Sequence, residues 1–249
     1  MITNTTSGTN LHEIAPGIYR INTPVQIPGG PDFNFNQYLV ADDEPLLFHT
    51  GPRRMFPLVA EAIGKVLPLE RLRYVAFSHF EADECGSLND FLAAAPVAVP
   101  VSSQVAAMVS VNDIATRPAL ALADGEVLQT GKRAFKWLDA PHVPHAWENG
   151  FMMELTTRTM LCGDLFTQGG SGAVALTEGD ILGPSEAFRA PMDYYAHAPQ
   201  TAATLEKLAR EQPQVLAVMH GTAYRGNGAA LLRALARSLA RPVAPALAA

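Results

Sequence analysis

Cysteine is almost absent from this 249-residue chain: only Cys85 and Cys162 occur. Two thiols cannot build a disulfide framework, and a reducing compartment, the cytoplasm, is the simpler setting. Basic residues are in the minority, 18 Lys and Arg against 24 Asp and Glu, for a formal net charge of −6. That balance argues against a nucleic-acid partner, because phosphate backbones are held by concentrated Lys and Arg. Long apolar runs are missing too. The longest, "FLAAAPVAVPVSSQVAAMVSV", is interrupted by Pro96, Pro100, Ser102 and Ser103, which leaves it short of a membrane span. The start, "MITNTTSGTN", has neither the basic segment nor the apolar stretch of a signal peptide. What remains is an ordinary globular composition, 48% hydrophobic and 17% charged, enough for a sizeable core.

The order of hydrophobic patterns predicts an α/β fold. Strand-like runs "GIYRINT", "NQYLVA" and "PLLFH" come first, separated by the turn signals "PGG" and "DDEP". The helical pattern "MFPLVAEAIGKVL" follows, then the strand "YVAF", the helix "SLNDFLAAA" with Ser87 as its expected N-cap, the strand "VAV" and a helical "SSQVAAMV". The second half starts over with strands "EVLQ", "AFKWLDAP", "FMMEL" and "TMLC", joined by hairpin-like "TGKR" and "TTRT". It ends as helix "TAATLEKLAREQ", strand "VLAVM" and helix "AALLRALARSLA". Two halves of strands then helices, with no flexible linker, predict a single domain over residues 1–249: two sheets face to face with helices outside, an αββα sandwich. "ATRPALALADGE" reads as a loop between the halves. Arg233, Arg237 and Arg241 recur at helical spacing and read as a solvated face, and the Ala/Pro tail "RPVAPALAA" is expected to fray.

Chemistry concentrates at predicted strand ends. "YVAFS" leads into "SHFEADECGS", which places His79, Glu81, Asp83 and Glu84 just beyond a buried strand. Asp164 follows "TMLC", His220 follows "VLAVM", and His142 and His145 follow "AFKWLDAP". Ligands in such sheets collect at the carboxyl ends of strands, so these termini predict one shared site. Residues 79, 81 and 83 alternate and can point the same way from an extended or tightly turned loop, whereas Glu84 must turn aside or serve a second centre. His79, Glu81, Asp83, His145, Asp164 and His220 make a set of three imidazoles and three carboxylates. It carries too much negative charge to bury without cations, and enough ligands for two of them if one carboxylate bridges. The mixed shell favours iron, with zinc as the alternative.

These residues carry a resemblance to the metallo-β-lactamase fold, and within it to the di-iron domain of flavodiiron proteins and their stand-alone relatives, the oxygen-binding di-iron proteins. The hydrolases of that fold carry His-x-His-x-Asp-His, whereas the di-iron branch carries His-x-Glu-x-Asp, as "HFEAD" does here. The gap from His145 to Asp164 matches the family spacing and selects His145 over His142. "VMHGT" resembles the final histidine motif and "MDYYAHAP" the tyrosine pair. The likeness spans roughly residues 33 to 225. It implies that His79, Glu81 and His145 hold one iron, Asp83 and His220 the other, with Asp164 bridging. Glu84 stands where many relatives have a histidine on the second metal, so it is open whether this carboxylate ligates, swings in or faces solvent. His49 replaces the aspartate of an early Asp-Thr-Gly, and reads either as orienting a ligand or as an ordinary buried histidine.

The resemblance implies a non-haem di-iron protein that binds and reduces O2, or senses it. Glu84 and Tyr195 are the candidate catalytic groups, supplying a proton or hydrogen bond to the oxygen substrate. With about thirty residues after His220 and no glycine-rich phosphate loop among them, no flavin domain is expected, so electrons would come from an external flavoprotein or reductase. A homodimer is implied by the resemblance alone. The alternative is a binuclear zinc hydrolase of a thioester, lactone or phosphoester, against which Glu81 in place of histidine counts. "QGGSGAVA" reads as a mobile loop at the pocket mouth, Cys85 and Cys162 as packing residues. Phe33, Phe35, Phe80, Trp147 and Phe151 read as lid aromatics or plain core.

Overall fold

The computed structural model describes residues 1–240, so Arg241 and the tail lie outside the described residues. The first sheet is β1 (Asn10–Ala15), β2 (Ile18–Gln26), β3 (Asp32–Val40), β4 (Leu46–Phe48), β5 (Tyr74–Ala76), β6 (Val99–Ser103) and β7 (Leu120–Leu122), in that spatial order. It is antiparallel from β1 to β4 and parallel from β4 to β7. The second sheet comprises β8 (Val127–Gln129), β9 (Ala134–Asp139), β10 (Gly150–Glu154), β11 (Thr159–Leu161), β12 (Leu176–Thr177), β13 (Val215–Ala217) and β14 (Ala223–Arg225). Its order is β12-β14-β13-β11-β10-β9-β8, with β11 and β13 parallel.

Alternation along each strand divides the side chains between two faces. In β4, Leu46 and Phe48 point between the sheets, whereas Leu47 points outward. In β13, Val215 and Ala217 point inward and Leu216 outward. The inner layer thus joins Tyr38, Phe48, Phe135 and Trp137, all fully buried. Each side chain of that size contributes about 1.5–3 kcal/mol by leaving water.

The outward faces are covered by helices, which completes four layers. On the first sheet lie α1 (Phe56–Ile63) and α3 (Leu88–Ala94), through Val59, Ile63, Phe91 and Leu92, with the short α2 (Ala82–Cys85) between them in sequence. A broken helix follows β6: α4 (Gln104–Ala106), a π-helical turn (Ala107–Val111) and α5 (Asn112–Ile114). After α6 (Leu182–Arg189), α7 (Thr201–Arg210) and α8 (Gly228–Leu239) cover the second sheet through Leu205, Leu208, Leu232 and Leu235.

Several expectations are corrected. "ATRPALALADGE" is not wholly a loop: its centre is β7, an edge strand paired with β6. Ser87 precedes α3 but donates its hydroxyl to the Pro52 carbonyl (3.0 Å) and does not cap the helix. Arg233 is not merely solvated, since its guanidinium pairs with both carboxylate oxygens of Glu206 on α7 at 2.8 and 3.0 Å. The loop "QGGSGAVA" is tied down. Gly170 N–H donates to the Asp32 carbonyl, Asn22 Nδ2 donates to the Ser171 carbonyl, and Arg20 donates to the Gly172 carbonyl.

Candidate metal centre

Four strand ends converge. Beyond β5 the chain runs through Ser78 and His79, and Glu81 is extended (φ −140°, ψ 161°) where it opens α2. One turn of that helix presents Asp83 and Glu84, so the alternation expected from sequence gives way to helical geometry after Glu81. His145 comes from the loop after β9, Asp164 follows β11, and His220 follows β13. Nε2 of His79 lies 2.9 Å from Glu81 Oε2, 3.0 Å from His145 Nε2 and 3.7 Å from Asp164 Oδ2. His145 Nε2 is 3.4 Å from the same Asp164 oxygen. On the other side, His220 Nε2 is 3.3 Å from Asp83 Oδ2 and 3.3 Å from Asp164 Oδ1. Two donor groups result, His79 with Glu81, His145 and Asp164, and Asp83 with Glu84 and His220. The carboxylate of Asp164 faces one group with each oxygen.

The far nitrogen of each imidazole is held from behind. His145 Nδ1 donates to the Tyr194 carbonyl (3.1 Å) and His220 Nδ1 to the Asn34 carbonyl (2.8 Å). His79 Nδ1 meets Ser78 Oγ at 3.0 Å, and that hydroxyl meets His49 Nε2 at 2.9 Å. His49 Nε2 also accepts the Ser78 N–H (3.3 Å), which leaves Nδ1 as its protonated nitrogen, 3.0 Å from Met219 Sδ. Burial lowers His49 to about 3, so this fully enclosed ring is neutral. Carbonyl-anchored Nδ1–H groups turn the Nε2 lone pairs inward, as metal-binding histidines require.

The residues fit a metal. Nε2 atoms of His79 and His145 lie 3.0 Å apart, each also close to a carboxylate oxygen, an arrangement that crowds lone pairs unless positive charge lies among them. Both oxygens of Glu84 and Oδ1 of Asp164 are buried without a hydrogen-bond partner. Without a cation, burial and then the charges of Asp164 and Asp83 push Glu84 well above the carboxylate range. Burial depresses His220, but Asp164 and Asp83 outweigh it and raise the ring to about 10. Contacts with His145 and His79 hold Glu81 down to about 2. The cluster draws positive charge onto itself, which metal ions would supply.

Other candidates sort clearly. The Tyr195 hydroxyl is buried in the core outside the second sheet, with no hydrogen-bond partner among the described residues. Tyr194, which the sequence reading passed over, donates its hydroxyl to the Asp164 carbonyl (3.3 Å) while its own carbonyl holds His145. The "YY" pair signalled the region, but not which ring faces inward. Of the aromatics, Phe33 and Phe35 pack on His220 with centroids 4.4 and 5.3 Å away, Phe151 is core, and Phe80 and Trp147 are exposed. Glu148, also unremarked, is buried and accepts the Phe80 N–H (3.0 Å), fixing the loop between His79 and Glu81. Cys85 is buried, donates to the Glu81 carbonyl (3.2 Å) and is pushed by burial up to about 12, which leaves it a thiol.

Known proteins resemble this chain in sequence and in fold. Rubredoxin-oxygen oxidoreductase of Megalodesulfovibrio gigas is 27% identical over 205 residues, which cover 77% of this chain and 49% of that protein. The chain therefore spans about half the length of this curated relative. Two solved structures share the fold. The flavodiiron core of Flv1 from Synechocystis superposes with a TM-score of 0.80 at 20% identity, covering 93% of this chain and 60% of that one. The rubredoxin:oxygen oxidoreductase of Desulfovibrio gigas gives 0.77 at 21% identity, covering 91% and 60%. The family model for the ODP family beta lactamase matches residues 33–221, and the chain belongs to that family.

Proposed function

We propose that the chain holds two iron ions and reduces O2 with electrons from a separate donor protein. His79, Glu81 and His145 would hold one ion, Asp83 and His220 the other, with Asp164 shared and Glu84 turned towards the second. The observation that carries this reading is the donor set itself: three imidazoles with four carboxylates, divided into two groups on either side of Asp164. Such a shell suits iron, whereas catalytic zinc commonly keeps more histidine. When bound, the iron pair supplies the redox chemistry that the side chains lack.

The chain's own groups position and protect. Carbonyls of Tyr194 and Asn34 fix the orientation of His145 and His220. Phe33 and Phe35 cover His220 and exclude water from that side. Glu84, buried beside Asp83 and His220 with both carboxylate oxygens free of hydrogen-bond partners, is the candidate to hold or pass a proton there. The likeness to rubredoxin-oxygen oxidoreductase supports an external electron carrier, of rubredoxin or flavoprotein type. No described helix is long and apolar enough to cross a membrane.

The test is O2 consumption by the purified chain. Uptake should be slow with NADH alone and accelerate when a flavoprotein reductase is added. Fast uptake from NADH without flavin would reject the separate donor, and no uptake with any reductase would reject O2 reduction.

A further inference from the structure

Arg20 lies in the middle of β2, opposite Tyr38, with its side chain fully buried between the two sheets. Among the described residues no carboxylate pairs with it, and its Nε and Nη1 have no hydrogen-bond partner. Burying an uncompensated guanidinium is costly, and an apolar side chain of similar size would suit the sandwich better. What this one touches explains its presence. Its Nη2 faces three acceptors: the Gly221 carbonyl at 2.8 Å, the Gly172 carbonyl at 2.8 Å and Asn22 Oδ1 at 3.2 Å. Gly221 directly follows His220, and Gly172 belongs to the loop after Asp164.

A ladder of asparagines extends this contact to the imidazole. Asn22 Oδ1 accepts from Asn34 Nδ2 (2.8 Å), and Asn34 Oδ1 accepts the Gly221 N–H (2.9 Å). The Asn34 carbonyl receives His220 Nδ1–H, and Asn36 Nδ2 donates to the carbonyls of Val218 (2.9 Å) and Gly221 (3.0 Å). The backbone is shaped for this approach. Gly172 has φ +63°, and a methyl there would sit 2.6 Å from Arg20 Nη2. Gly221 has φ +99°, and a methyl there would meet Gln168 at 2.6 Å. Both glycines lie in the left-handed region that other residues rarely adopt.

We infer that Arg20 is a positioning residue for the second metal: through Gly221, Gly172 and the Asn22–Asn34–Asn36 ladder it locks the loop that presents His220. This rests on the paired-metal reading above. Its effect is confined to one half of the centre, because among the described residues no hydrogen bond of the ladder reaches His79, Glu81 or His145.

The experiment titrates Co2+ into metal-depleted full-length chain, read by calorimetry and by the visible absorption of the bound ion. Asp83→Asn serves as the reference that marks which binding step belongs to the His220 side. Arg20→Met should weaken that same step about 10- to 100-fold, the usual effect of losing a group that orients a metal ligand, and leave the other within about threefold. Should Arg20→Met fail to fold, Arg20→Lys keeps the charge but loses the planar guanidinium, and should give a smaller loss in the same step. Equal weakening of both steps marks a folding role and overturns the inference, as do two unchanged steps. A parent chain that binds a single Co2+ removes the paired-metal reading and this inference with it, whereas a parent binding two beside an unaltered variant removes only the inference.

Discussion

Asp164 presents Oδ2 to the nitrogens of His79 and His145 and Oδ1 to that of His220. A carboxylate placed this way neutralises charge on both sides. Asp164→Asn should therefore lower metal content in both positions together, whereas Asp83→Asn, whose carboxylate faces only His220, should mainly empty one. Metal contents of the two variants, measured side by side, decide it, and an Asp164→Asn chain with both metals intact would count against the sharing. Glu81 is the other discriminating residue. Glu81→His removes an anionic oxygen and restores the hydrolase-like pattern, so iron retention should fall, zinc should rise, and O2 reoxidation of the reduced protein should be lost. Retained iron with parental reoxidation would contradict this. Glu81, Asp83 and His220 stood out in the sequence because each follows a strand or sits in a compact motif, whereas only the family spacing separated His145 from His142. Tyr194, Glu148 and Arg20 did not stand out, because their roles lie in hydrogen bonds to residues far away in sequence.

Elements place these residues, and their mutual fit can be tested away from the metals. Gly150 opens β10, donates its N–H to the Ser78 carbonyl (2.9 Å), and lies against the indole of Trp137. A methyl at Gly150 would run into that fully buried ring, which is also held by its Nε1–H to Asp139 Oδ1 at 2.7 Å. Gly150→Ala should destabilise the chain by about 1–3 kcal/mol through overpacking, seen as a Tm lower by several degrees. An unchanged Tm would show that the indole yields freely. The strands between well-marked turns, β2, β3, β5, β10 and β11, announce themselves by β-branched, aromatic and apolar runs. Those missed are short or at edges. β1 carries a register shift between Glu13 and Ala15, β12 has two residues, and α6 contains Gly183 and Pro184 within its first turn. Partners in the sheet or core, not local preference, hold such segments.

At the scale of the whole molecule, the two sheets deliver parallel strand ends to one edge: β4 and β5 from the first sheet, β11 and β13 from the second. His49 and His79 arrive from one side of the sandwich, Asp164 and His220 from the other, and the cluster spans the seam between them. Four carboxylates gathered there oppose folding unless cations offset them, so bound metal should also hold the two halves together. The identity and number of those cations decide the chemistry. The direct measurement is elemental analysis of the chain purified from cells grown with ample iron, expressed per chain. About two iron ions and little zinc are expected, matching the two donor groups. Stoichiometric zinc with negligible iron, or a single metal ion per chain, would contradict it.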